Sequence, residues 1–507
     1  MIYLIEITAA IDSAGTTQIF RFSSIGYITE PTDSPANAYY EPRVINPASI
    51  NRNIFSDGKT SGASRVGYGS IELSNIDGGL DYLRSYSFDG RSLIIKVGDE
   101  NSSFSSYTTI LNGTMEQVEF TFSKAIILIR DKLSILDNPL QTTLYLGNNS
   151  LPNGVEGVSD IAKKPKPLLY GKVFNIQPIM VNSSLLIYQI NDGAIASVDA
   201  VYDRGVDLIF HADEANVANL EAHNPPSGKY ITCLSLGYIR IGTSPSGALT
   251  CDATQGATSA NRTAAQILKL LAIKGGVDSG DIVASDVTAL DALNSSEVGI
   301  WVDINERSID VMDAISNSIG AYFGFNSNGQ FKMGRFTSPS GTPVINIDLN
   351  NLINIDYIRP DDAGKGIPTW RTSLTYQKNY TIQSTDLAAS ITDARRNVLN
   401  IQSLTVSAED LAIKDQYVLA TELTRETLLT NSASAQTEAN RLLALYKVRR
   451  ELYSVKIALD LNDQLPDLNN VINLILPRFG LTSGKIFTII GIDANYATNR
   501  ATLTLWG

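Results

Sequence analysis

The chain has 507 residues, 40 Lys+Arg against 52 Asp+Glu, a net charge of −12, and only 2 His and 2 Cys. At about 150 residues per domain this length predicts three domains, extending to four. An acidic chain without a basic block argues against tight nucleic-acid binding, whose affinity comes mainly from neutralised phosphates. Two cysteines exclude a four-thiolate zinc or iron–sulfur centre and a disulfide framework for so long a chain.

For Cys233 and Cys251 one bridge is open, but two reduced, packed thiols are the expectation. His211 and His223 lie twelve residues apart, a spacing that suggests no shared metal. The N-terminus, MIYLIEITAAID, lacks a basic n-region and a small-residue cleavage site. It reads as a strand with Ile2, Leu4, Ile5 and Ile7 apolar. Apolar runs such as Ala125 to Ile129 fall far short of the ~20 residues a bilayer span needs. A soluble chain that begins its structure at residue one, without stable membrane insertion, is expected.

The first section, residues 1–155, is expected to be a β-barrel-like domain. Ser70–Leu73, Leu93–Val97, Thr108–Leu111 and Glu116–Phe122 are short and rich in β-branched or aromatic residues. Turn signals at Asp57-Gly58, Asp77-Gly78-Gly79, Asp89-Gly90 and Asn112-Gly113 separate the strands. Asn51 to Gly69 is rich in Gly and Ser and predicts an exposed loop or long hairpin tip that orders on assembly. Between Asn148 and Pro167, proline, glycine and lysine mark a boundary.

A β-rich middle domain, 165–258, follows. Its predicted strands are Leu168–Ile176, Leu185–Ile190, Ala196–Tyr202 and Tyr230–Leu236, with Asp192-Gly193 at hairpin spacing. The Ser/Thr/Gly-rich stretch Ser244 to Ala260 is expected to close it. In the mixed α/β section, 259–345, Thr263 to Ile273 predicts a helix ending at Gly275-Gly276. Ser308 to Ala321 predicts a second, amphipathic helix capped by Ser308. Tyr322–Phe325, Asn328-Gly329 and Gln330–Phe336 then read as strand, turn and strand.

The last section, 346–507, is expected to be α+β. Trp370–Gln377 alternates as a strand with one wet face. Ser432 to Arg450 is the clearest helix, ending in basic residues that complement its dipole. Leu452–Leu459, Val471–Leu476, Phe487–Ile492 and Ala501–Trp506 are strands. The fold class is therefore mainly β with some α, in several domains.

Few residues of the sequence point to chemistry. Asp361-Asp362 and Glu409-Asp410 are carboxylate pairs of the type a glycosidase uses, but the first sits in turn chemistry and neighbours on a strand face opposite ways. His211, near Asp213 and Glu214, has no G-x-S-x-G elbow beside it and reads as a surface or interface histidine. Gly58 to Gly69 lacks the Lys-Ser/Thr of a phosphate loop. Asn191-Asp192-Gly193 and Asn326 to Gly329 are too short for a calcium loop and read as hairpin turns. Lys447, Arg449 and Arg450 read as a solvated helix end. No catalytic, cofactor-binding or metal-ligating residue is assigned.

The order of four short blocks is more informative. They are the segment from Tyr40, with Gly-x-Ile-x-Leu-x-Asn-x-Asp-Gly at Gly69–Gly78, Leu80-Asp81 and Gly90-Arg91; the segment from Pro167, with Pro178 and Val201-Tyr202-Asp203-x-Gly205; the helix and hairpin of Ile309–Phe336; and the terminal Thr-Leu-Trp-Gly. Together they resemble tail tip or baseplate hub proteins of long-tailed bacteriophages and gene transfer agents. The resemblance implies a virion protein at the tail tip, assembled in the bacterial cytoplasm. It implies a homotrimer whose two barrel-like domains, resembling the tail-tube fold, present a pseudo-sixfold ring to the hexameric tube. The first and last sections are the candidates for that role. Implied partners are tail tube or distal tail proteins, tail fibre or spike proteins and the tape measure protein, with DNA only in transient passage. The chain departs from relatives that carry a four-cysteine iron–sulfur site, and it shows no peptidoglycan hydrolase motif. No cofactor and no enzymatic activity are expected. The alternative is a secreted or surface carbohydrate-active β-protein, a glycosidase or lectin, for which the β content, 22 Tyr and paired carboxylates speak.

Overall fold

The computed structural model describes residues 1–54, 62–358, 367–459 and 466–507. The Asp57-Gly58 turn and the Asp361-Asp362 pair lie outside them. The fold is mainly β, with several sheets and a smaller share of helix.

Nine strands form the N-terminal sheet. Its centre is antiparallel, running through Thr17–Ser23, Ile2–Ala10, Ser92–Gly98, Thr108–Phe120, Lys124–Arg130 and Ser70–Ser74. Strict alternation drives it: Ala125, Ile127 and Ile129 turn inward while Lys124, Ile126, Leu128 and Arg130 stay partly exposed. Turns at Gly78 and Gly90 adopt positive φ, as their glycines allow. Asn112-Gly113 is not a turn. The strand runs through it, with Gly113 opposite Leu93, and bulges beside Lys96 and Met115 absorb the irregularity. Asn112 instead holds a distant turn: its N–H donates to Ser327 O (2.7 Å) and its amide to Asn328 O (3.1 Å).

The C-terminal sheet orders Ile345–Ile347, Val471–Leu474, Lys485–Asn495, Arg500–Trp506, Leu452–Ala458 and Leu352–Ile358. It also receives a strand from the first section. Ser49–Asn53 pairs with Lys485–Asn495, Ile50 opposite Ala494, and with Arg65–Tyr68 on its other side. Gly62–Ala63 lies parallel to Ala321–Phe325 of the mixed section. The described residues of Asn51–Gly69 are thus largely strand: the two ends of the segment pair antiparallel, in keeping with the long-hairpin reading rather than the open loop, and its backbone also finds partners in distant sheets.

The two sheets share one apolar core. Ile5, Phe22, Leu93 and Ile127 from the first belong to the same buried cluster as Phe487, Leu503 and Leu505 from the second. Polar bonds close the seam. Tyr3 Oη donates to Tyr496 O and to Asn499 Oδ1, both at 3.0 Å. Arg52 pairs with Asp467 at 2.5 Å and donates to Phe325 O at 3.1 Å.

The middle section builds two five-stranded sheets, the first completed by Gly299–Val302 of the mixed section. One orders Val206–Asp207, Ser197–Asp203, Leu249–Thr254, Leu168–Ile176 and Gly299–Val302. The other orders Ile179–Asn182, Ile187–Gln189, Tyr238–Ile241, Lys229–Cys233 and Ile209–Asp213. Asp192-Gly193 is therefore no hairpin turn, since its flanking strands lie in different sheets. Asn191 pins the crossing: its Oδ1 accepts from Leu169 N–H (2.8 Å) and its amide donates to Gly193 O (3.1 Å). Ser244–Ala260 does not merely close the section. It contains Leu249–Thr254, which pairs with Ser197–Asp203 and Leu168–Ile176 and buries Cys251 and Ala253.

Helices Ala264–Lys274, Ala284–Leu293 and Ser308–Ile319 pack with the hairpin Ala321–Phe325/Phe331–Arg335 around a separate core. Thr263 caps the first, accepting from Gln266 N–H at 3.4 Å. Ser308 is not the cap of the third; it is the first helical residue, buried, and Arg307 holds the cap position without a side-chain bond. Helix Ser432–Tyr446, capped by Asn431, packs on the sheet of Leu404–Glu409, Thr369–Tyr376 and Thr421–Arg425.

Candidate functional site

The reactive residue types are placed in structural roles. Cys233 and Cys251 are free, buried thiols in different cores, as expected. Burial pushes the Cys251 thiol well up, away from the thiolate that reacts. Glu409 faces Arg371 at 4.0 Å and Asp410 meets Lys447 at 3.2 Å, so these adjacent carboxylates serve separate cations. Asn326 to Gly329 is a hairpin turn, as expected.

The helix stops at Tyr446 with Lys447 at its C-cap, so Arg449 and Arg450 lie beyond it, and this basic segment is only partly solvated. Arg449 is exposed. Arg450 lies over the Trp506 ring at 4.6 Å and donates to Ser338 Oγ at 2.8 Å. Burial lowers its pKa. The apolar wall of Trp506 is what draws this arginine inward.

No Ser–His–Asp array forms at His211. The Asp213 carboxylate accepts from Thr232 Oγ1 (2.6 Å) and Leu234 N–H (3.0 Å). Glu214 binds His223 Nδ1 at 2.6 Å. The two histidines nevertheless meet, with ring centroids 5.3 Å apart. Sequence spacing alone did not suggest this, because the strand of one and the helix of the other are brought together only by the fold. Among the described residues, no group of three or more His, Cys, Asp or Glu is arranged to hold a metal ion.

A cleft of about 330 Å³ opens where the mixed and last sections meet. Glu306, Glu426, Lys378 and Gln402 line it. Burial raises the Glu306 carboxyl, and the Lys378 ammonium opposes that shift. Trp301 also borders the cleft, but its indole N–H donates inward to Ile190 O at 2.9 Å and the side chain is buried. It offers no open aromatic platform.

The surface carries some exposed apolar side chains. Ile28 and Tyr39 are exposed on strands at one edge of the N-terminal sheet, and Phe122 is fully exposed at a hairpin tip. Val418 and Leu419 are exposed beside the last section's three-stranded sheet.

Buried polar clusters fix how the sections meet. Glu438, 1% exposed, receives both Arg335 and Arg441. Arg335 also donates to Ile319 O (2.8 Å) and Leu293 O (2.9 Å), tying two helix ends of the mixed section to the last helix. Desolvation lowers Arg335 to a pKa of about 10, still protonated near neutrality. In a second cluster, the Asn175 amide donates to Asn379 Oδ1 (2.9 Å) and Thr381 O (2.7 Å), joining the middle section to residues 379–383.

No protein-family model and no curated protein matches the chain. Among solved structures, it is similar to a tail protein from Neisseria meningitidis MC58 at 11% identity, covering 100% of this chain and 96% of that one, TM-score 0.44. It is similar to a 43 kDa tail protein of prophage MuSo2 from Shewanella oneidensis at 10% identity, covering 99% and 98%, TM-score 0.40. A chain of the virion of a native gene transfer agent particle is similar at 14% identity, covering 68% and 84%, TM-score 0.42. The structural neighbours are tail and virion proteins.

Proposed function

We propose that the chain is a non-enzymatic structural protein of a phage-type tail, located in the virion, that builds a homotrimeric hub at the tail tip or baseplate. The observation that carries this reading is the joining of the first and last sections through one core, with Ser49–Asn53 inserted as a strand into the C-terminal sheet. Each chain thus offers two β units fixed side by side. Three copies related by threefold symmetry would present six such units to a hexameric tube. The order of sequence blocks along the chain supports the same reading.

In this proposal the sections are 1–155, 165–258, 259–345 and 346–507, with the first and last forming the ring. Tail tube or distal tail proteins and the tape measure protein bind one side, and fibre or spike proteins the other. DNA passes only transiently, through a channel whose wall is expected to be acidic, in keeping with the net charge of −12. Mass measurement in solution followed by electron microscopy of the chain with its tail-tube partner tests the proposal. A threefold ring with six β units around a channel is expected. A complex without threefold symmetry, or a strongly basic channel wall, overturns it.

A second reading, a carbohydrate-active protein, draws on Glu306 and Glu426 lining one cleft. It requires the two carboxylates to stand ~5–9 Å apart across a bound sugar. The inward-turned Trp301 leaves it without the stacking surface such a site uses.

A further inference from the structure

The only two histidines of the chain converge on one edge of the middle section. His211 is exposed on the strand Ile209–Asp213, an outer strand of its sheet. It falls at a register shift: Phe210 stands opposite Tyr230 and Ala212 opposite Ile231, leaving His211 as the unpaired residue of a bulge. Bulges re-aim a side chain and recur beside functional sites. His223 occupies the C-cap of the helix Val217–Ala222. Its Nδ1 is 2.6 Å from Glu214 Oε1. With Nδ1–H donating to that carboxylate, the neutral ring presents the Nε2 lone pair. A carboxylate holding the far nitrogen is the arrangement that orients metal-binding histidines and raises their basicity.

The spacing also fits. Two imidazoles bound to one zinc ion at ~2.0–2.1 Å, at a tetrahedral angle, have ring centroids about 5 Å apart. The observed separation is 5.3 Å.

We propose that His211 and His223 form a two-histidine site for a divalent first-row transition ion of the zinc type, with Glu214 as positioning residue and water filling the open positions. Imidazole is the ligand that suits zinc, copper and nickel, whereas calcium and magnesium prefer oxygen donors. The site is accessible, since His211 is exposed and the His223 side chain is one-third exposed. Its open positions leave room for a donor from a neighbouring protein.

Calorimetric titration of the untagged full-length chain with zinc chloride tests the proposal. One ion per chain is expected. His211→Ala and His223→Ala should each abolish binding, and Glu214→Gln should weaken it roughly 10–100-fold. Because His211 lies on the surface, its variant should keep the circular dichroism of the parent, so lost binding there reports the ligand and not the fold. Absence of binding to the parent chain, or unchanged binding in His211→Ala, overturns the assignment.

Discussion

Contact between the two terminal sheets is mostly apolar, sealed by a few polar bonds, whereas the inner sections add buried charges and amides to the apolar cores they share. Ile5, Leu93 and Ile127 share a core with Phe487, Leu503 and Leu505. The mixed section meets the last helix through Arg335, Glu438 and Arg441, and the middle section meets residues 379–383 through Asn175 and Asn379. Apolar burial is strong and non-directional. It can weld two sheets into one body while leaving their relative orientation to shape. Hydrogen-bonded charges and amides are directional, and they are costly when left unpaired. They therefore suit joints where one section must hold one angle to the next.

The sharpest break in this contrast is Glu438→Ala. It would strand Arg335, which is 9% exposed, in a buried site without its carboxylate. A loss of about 3–5 kcal/mol is expected, read from the urea midpoint. Next comes Leu503→Ala in the terminal core, where the side chain is fully buried. Its truncation should cost about 2–5 kcal/mol. The test is whether the N-terminal sheet, which does not contain Leu503, loses amide protection along with the C-terminal one.

Asn379→Leu should have a smaller effect. Its amide donates to Leu399 O (3.0 Å) and Ile401 O (2.9 Å), and its oxygen accepts from Asn175. Leaving these groups without partners should cost about 1–3 kcal/mol in the same urea measurement.

The smallest effect is a pH slope at Asp252. Burial raises its carboxyl pKa, against hydrogen bonds from Asn175 N–H (2.7 Å) and Tyr202 Oη (2.9 Å). The native state then holds the proton more tightly than the unfolded chain, whose aspartate titrates at ~3.9. Its contribution to stability is greatest below that value and falls as pH rises through the raised native pKa. Asp252→Asn should remove that fall, and urea midpoints across the acid range check it.

Much of the local structure was legible because it follows local rules. Lys124–Arg130 alternates, Thr263 and Gly275 bracket their helix, and Asn328-Gly329 lies in a tight turn between two strands. The failures are non-local. Asn112-Gly113 has turn composition, but its strand partners hold it extended and Asn112 bonds to a turn 216 residues away. Leu249–Thr254 hides in a Ser/Thr/Gly-rich stretch because two neighbouring strands, not its propensity, fix it. Ser49–Asn53 gives no hint that its partner is Lys485–Asn495. At the site, the meeting of His211 and His223 depends on a bulge and a helix end, neither of which leaves a periodic signal.

Hydrogen exchange across a urea series tests the central claim most directly. If the terminal sheets are one body, the amides of Ile2–Ala10 and Arg500–Trp506 should lose protection together, at one urea concentration. Loss of one strand's protection while the other remains fully protected would contradict a shared core, and with it the side-by-side pair on which the proposed ring depends.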